Sequence, residues 1–127
     1  MSDAATASKE RLRHFVHSVA ASRKVWGLRD ADRWACTTWR DKDRQDRTVL
    51  LFWSDRADAK QRVKGKWLDY QPIAIPLESF LQRWLTGMAT DGRIAGIEWD
   101  ALFCGPVIEP LDLKQEIEGQ IKSGGLL

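Results

Sequence analysis

A chain of 127 residues, 43% hydrophobic and 30% charged, is long enough to close one core without disulfides or metals and too apolar to be generally disordered. Its 20 basic and 18 acidic side chains leave a formal charge of +2, too balanced for the whole molecule to capture nucleic acid or anionic lipid. No apolar run approaches the roughly 20 residues that span a bilayer, and residues 1–10 lack the basic and apolar segments of a secretory signal, so a cytoplasmic protein with no membrane partner is expected.

The first seven residues are small and polar and read as a flexible N-terminus ahead of a single domain over residues 8–127. Leu12, Phe15, Val16 and Val19 then recur at helical spacing, which predicts an amphipathic helix ending near Ser22. Residues 24–29 and 33–40 carry β-branched and aromatic side chains on either side of Asp30-Ala31-Asp32, the pattern of an antiparallel hairpin. Residues 40–47 alternate opposite charges with no apolar residue, so they bury nothing and form a solvated loop.

The unbroken apolar run of residues 48–53 has no face to give to water and predicts a central strand covered on both sides. Asp55 follows as an N-cap with Asp58 three residues on, and Ala59, Val63 and Trp67 mark the packed stripe of a helix ending at Gly65. Residues 72–75 read as a short strand that a right-handed crossover would lay parallel to the central one. Behind Pro76, the spacing of Leu77, Phe80, Leu81, Trp84, Leu85 and Met88 is the clearest helix in the chain, with Thr86-Gly87 a candidate interruption. Residues 93–99 give a further parallel strand, Gly105-Pro106 a loop over 100–109, and Leu113, Ile117 and Ile121 a last helix stopped at Ser123-Gly124-Gly125. The expected fold is α+β: a mixed five-stranded sheet, made of the N-terminal hairpin plus strand–helix–strand–helix–strand, with about four helices packed on it.

Five pieces in order resemble a small bacterial family known as domain of unknown function 2750: Phe52-Trp53-Ser54-Asp55-Arg56; Ile73-Ala74-Ile75-Pro76; residues 80–88; Asp91-Gly92 through Gly96-Ile97-Glu98-Trp99; and Ile108-Glu109-Pro110. The likeness spans residues 25–117. The charged loop at 40–47 is longer than the family's pattern, and Thr86 stands where a proline is expected. The resemblance implies a compact bacterial cytosolic domain and supplies no reaction, cofactor or catalytic residue.

Parallel strands gather their carboxyl ends on one edge, where open α/β sheets place ligands; that edge would collect Ser54, Asp55, Arg56, Glu78, Trp99 and Asp100 as a candidate cleft. The stronger reading of the same acids is ordinary helix capping. No catalytic, cofactor or metal residue is assigned: His14 and His17 fall opposite the apolar stripe of their helix, and there is no glycine-rich phosphate loop. Cys36 and Cys104 read as reduced, packed thiols rather than a disulfide. Arg56, Lys60 and Lys64, four apart and flanked by Arg62, Lys66 and Trp67, form a basic strip whose plain reading is a solvated helix face, and nucleic acid is not the expected partner. Seven tryptophans mean an aromatic core or a contact surface. The expectation leans away from an enzyme and toward a tryptophan-rich protein-interaction module with a surface of Trp39, Arg56, Lys60, Lys64 and Trp67, an immunity-protein-like role being one version. The alternative is a small-ligand or catalytic domain using the strand-end cleft around Ser54, Asp55, Glu78 and Asp100.

Overall fold

The computed structural model describes residues 3–124. Helix α1 (Asp3–Ser22) starts five residues before the expected domain start at Ser8, so the segment expected to be flexible is helical from Asp3 on and residues 1–2 lie outside the described residues. It buries Phe15, Val16, Val19 and Ala20. Arg23 ends it in the left-handed region at φ 64°, its N–H donating to the Val19 carbonyl, and swings the chain into β1 (Lys24–Arg29).

Strands β2 (Cys36–Arg40) and β3 (Asp46–Phe52) form an antiparallel hairpin. Its charged loop is solvated and shorter than 40–47: the Asp41 carboxylate accepts from the N–H groups of Asp43 and Gln45, and Arg44 takes the positive φ the turn needs. Helix α2 (Arg56–Lys60) is capped by Asp55, whose side chain accepts from the Ala57 N–H. It is only five residues long, and a 3-10 turn, Gly65–Trp67, continues the stretch read as helix. Strand β4 (Gln71–Pro76) leads into residues 77–90, here called α3, in which α-helical Leu77–Ser79 and Leu85–Thr90 flank a π-helical Phe80–Trp84. The irregularity thus lies before Thr86-Gly87, and the Thr86 hydroxyl donates to the Gln82 carbonyl that the π register displaces. Strand β5 (Ile94–Ile97), strand β6 (Val107–Ile108) and helix α4 (Pro110–Ser123) complete the chain; Gly124 is the cap, and Gly125 lies outside the described residues.

The α+β class holds, with a different sheet arrangement. Four strands run in the order β2-β3-β5-β6, and β1 and β4 form a separate antiparallel pair. The parallel pairing of β3 with β5, Val49 opposite Ile94 through Phe52 opposite Ile97, follows from the crossover. The parallel neighbour expected at 72–75 is corrected: a strand has two edges, those of β3 are filled by β2 and β5, and β4 pairs instead with β1. The β1–β2 hairpin is corrected too. Asp30 accepts from the N–H groups of Asp32 and Arg33 and turns the chain, but only Arg29 and Trp34 bridge before Ala35 crosses from Leu28 to Leu51. The last residue of the apolar run, Trp53, bridges Trp26 and ties β1 to the end of β3.

Alternation along β3 and into Trp53 sends Leu50 and Phe52 into one core and Val49, Leu51 and Trp53 into another. The first lies under α1, α3 and α4; the second under α2, the 3-10 turn, Trp67 and Trp99. The central strand is therefore covered on both faces.

Candidate functional site

Because β3 and β5 are parallel, their carboxyl ends emerge together, and the residues just beyond them meet. Glu98 continues the ladder through its N–H to the Phe52 carbonyl at 2.9 Å, and then turns in the left-handed region at φ 54°, a conformation costly for a side chain of this kind. Its carboxylate is tied down by Ser54, accepting from the backbone N–H at 2.7 Å and from the hydroxyl at 2.8 Å. His14 of α1 approaches to 3.7 Å. Burial raises the Glu98 carboxyl above its ordinary range, and the Ser54 bonds and the His14 charge only partly oppose it.

One residue on, Trp99 is folded back over the sheet. Its indole N–H donates to the Pro106 carbonyl at 3.0 Å, while the Trp53 indole donates to the Trp99 carbonyl at 3.0 Å. Gly96 makes room: a Cβ there would lie 2.6 Å from a Leu51 methyl, 2.8 Å from a Val49 methyl and 2.9 Å from the Trp99 indole nitrogen. Asp100 shapes the next loop, one oxygen accepting from the N–H groups of Leu102 and Cys104 and the other from Arg11 of α1 at 3.1 Å. Burial raises the Asp100 carboxyl, but these donors outweigh it and leave it below its ordinary range.

Between these groups lies a concavity of about 260 Å³, walled by Trp53 and Trp99 and edged by Arg11, Asp58, Glu98 and Asp100. The residue that distinguishes it is Arg62, only 8% exposed. Its Nη2 meets the Gln61 side chain at 3.3 Å, and its Nε and Nη1 are buried with no partner among the described residues. A roomier groove of about 620 Å³ runs between α1 and α4, but its polar lining, including Lys9, Arg13 and His17, is solvated, and no polar atom lining it is buried without a partner.

Of the sequence-predicted cleft, the structure brings Ser54, Trp99 and Asp100 together. Asp55 and Arg56 are exposed at the start of α2, where Asp55 serves as the cap. Glu78 is exposed in the first turn of α3 and does not line the concavity, because β4 leaves from beside β1 rather than β3. The predicted interaction surface does not hold together either. Trp67 is 3% exposed, held against Phe103 at 5.2 Å between ring centres, and Trp39 is half-buried on β2. Arg56, Lys60 and Lys64 are exposed, but α2 stops at Lys60 and the fourfold spacing has no helix to carry it further. Cys36 and Cys104 are exposed free thiols, not packed ones. Trp53, Asp58, Arg62, Glu98, Arg11 and, behind Glu98, His14 are the site residues that sequence reasoning did not place there. Only Glu98 carried a signal, its position between the glycine and the tryptophan of Gly96-Ile97-Glu98-Trp99 at a strand end.

Among the described residues no three His, Cys, Asp or Glu side chains are grouped to hold a metal ion, and no helix is long and apolar enough to cross a membrane. Fold and site together define an α+β domain with a small charged cleft at the ends of two parallel strands. The chain belongs to the family described as Protein of unknown function (DUF2750), whose model matches residues 12–117 and so contains every charged group of the cleft except Arg11. No curated protein and no solved structure matches it.

Proposed function

We propose that this domain binds a small ligand through an anionic group, in the cleft at the carboxyl ends of β3 and β5, with Arg62 as the anchor. The observation that carries this is a buried guanidinium with two unpartnered nitrogens on a residue that lines a cavity. A buried charge left unpaired costs several kcal/mol, and a ligand carboxylate or phosphate removes that cost by supplying the acceptors. The edge of the guanidinium that can grip such a group with two bonds, Nε with Nη2, is engaged only by the 3.3 Å contact to exposed Gln61.

Binding is favoured over catalysis by the order of groups. In a nucleophilic triad a histidine stands between hydroxyl and carboxylate, whereas here Glu98 stands between Ser54 and His14 and spends its oxygens holding the Ser54 loop. Titration of the protein with acetate and inorganic phosphate, followed by the indole N–H resonances of Trp53 and Trp99, tests the reading. Saturable shifts that vanish in Arg62→Met are expected; shifts identical in that variant would discard the anchor.

A second reading, a protein-interaction module, is favoured by one observation. Leu102, Leu68 and Phe103 are 81%, 67% and 45% exposed, Phe103 packs on Trp67, and Leu102 and Phe103 follow Ala101 of the cleft wall, which supports an apolar face near the cleft. It replaces the tryptophan surface as the face a partner, such as a toxin in an immunity-type pair, would cover. Co-purification with the product of an adjacent gene, lost in Leu102→Asp, checks it. Exposed free thiols at Cys36 and Cys104 support the cytoplasm of a bacterium as the setting for either role.

A further inference from the structure

Resting on the reading of Arg62 as anchor, we infer that the ligand is a compact zwitterion of the α-amino-acid class, its carboxylate on Arg62 and its ammonium group toward Glu98 and Asp58. Charge balance within the cavity points to such a ligand. Two cations and three carboxylates border it, and Arg11 and Asp100 satisfy each other at 3.1 Å. What remains lining it is one cation, Arg62, against two carboxylates, Asp58 and Glu98, the second of which also has His14 of α1 outside the cavity at 3.7 Å. Neither makes an ion pair with Arg62, although all three line the same space.

A bare anion entering this space gains one attraction and meets two repulsions, and a dianion such as phosphate doubles both. A bare cation meets the reverse difficulty at Arg62. A ligand carrying both charges a few bonds apart answers all three groups at once. Glu98 has room to accept it: a carboxylate offers about four lone-pair positions, and Ser54 occupies one on each oxygen.

The uncharged walls narrow the class. Both indole N–H groups are committed to backbone carbonyls, so Trp53 and Trp99 can offer a ligand only ring surface, suited to methylene or methyl groups and to the face of an ammonium ion. A volume of about 260 Å³ falls below the about 300 Å³ where drug-sized sites begin. That leaves room for an amino acid and not for a nucleotide.

Calorimetric titration of the whole chain with glycine, alanine and serine, against acetate, methylamine and inorganic phosphate, tests the inference. The amino acids should bind about tenfold or more tighter than acetate or methylamine. Asp58→Asn, an exposed change that leaves the fold intact, and Glu98→Gln should each weaken amino-acid binding several-fold while leaving acetate binding equal or stronger. Arg62→Met should abolish both. Acetate or phosphate binding as tightly as the amino acids would overturn the zwitterion and leave the Arg62 anchor standing. Absence of binding by every probe to folded wild-type protein would remove the anchor and the zwitterion together.

Discussion

From one strand, β3, Leu50 and Phe52 enter a core closed by three long helices, while Val49, Leu51 and Trp53 enter one closed by a five-residue helix, a 3-10 turn and loops. The first face is aliphatic and aromatic side chains at helical spacing, with Phe52 set edge-on to Phe80 at 4.9 Å and to Trp84 at 5.8 Å. The second has no helix long enough to roof it, and three tryptophans, Trp53, Trp67 and Trp99, supply the missing area. Irregular chain also brings polar groups into the interior, which need partners: indole N–H groups find carbonyls, Ser54 finds Glu98, and Arg62 finds Gln61 for Nη2 but nothing for Nε and Nη1 among the described residues. A site follows from the less regular roof. The helical face is built to be stable, and the tryptophan face carries the polar groups of the proposed site.

The largest effect that would test this division is on the helical side. Phe80→Ala empties a fully buried position beneath Phe52 and should cost about 3–5 kcal/mol in denaturant unfolding. On the other face the sensitive change is an addition. Gly96→Ala should cost about 1–3 kcal/mol, because the methyl meets Leu51, Val49 and Trp99 at once, and it should shift the Trp99 indole resonance. A Gly96→Ala protein as stable as wild type would mean that the tryptophan face yields easily and is not close-packed.

Arg62→Met separates the faces by sign. Replacing a buried guanidinium that lacks partners for two of its three nitrogens with a flexible apolar chain should leave stability unchanged or raise it by about 1 kcal/mol or more, while the proposed ligand binding is lost. A large destabilisation would mark Arg62 as a structural residue. Smaller still is Gly119→Ala on the exposed side of α4, where an added Cβ has open space and helix propensity alone should stabilise by up to about 1 kcal/mol.

The division also governs what could be read from the residues alone. Helices α1, α3 and α4 declared themselves by apolar spacing, and the length of the run through Trp53 announced a strand buried on both sides. The parallel β3–β5 pair followed from chain chirality, and with it came the edge where Ser54, Trp99 and Asp100 meet. The partner of β4 did not, because pairing depends on which edges other strands have already taken. Two-residue β6 and the π segment of α3 are too short or too context-dependent to have a period. Arg62 sat in a run of lysines that reads as solvent-facing, and only the early end of α2 turns it inward. Arg11 and His14 lie about ninety residues from their carboxylates, a proximity that no local pattern encodes.

The smallest effect is a change of slope, and it bears on whether the tryptophan face stores strain at Glu98. Burial raises this carboxyl in the folded chain above its ordinary value of 4.5. Between that value and the raised one the folded state holds more protons than the unfolded state, so Glu98 lowers stability as pH rises through the window, and its cost is complete above the folded pKa. Glu98→Gln keeps an acceptor for the Ser54 N–H and removes the titration. The variant should therefore gain on wild type as pH climbs from about 4.5 and then run parallel to it. Glu109 and Asp100 behave in the opposite sense, both held low, Glu109 chiefly by its hydrogen bond with Arg47 and Asp100 by its backbone and Arg11 donors against the pull of burial. Their stabilisation fades as pH falls, but it is common to both proteins and cancels in the difference. A difference curve flat from pH 4 to 8 would mean that Ser54 and His14 fully offset the burial of Glu98, leaving its positive φ as the only strain at the strand end.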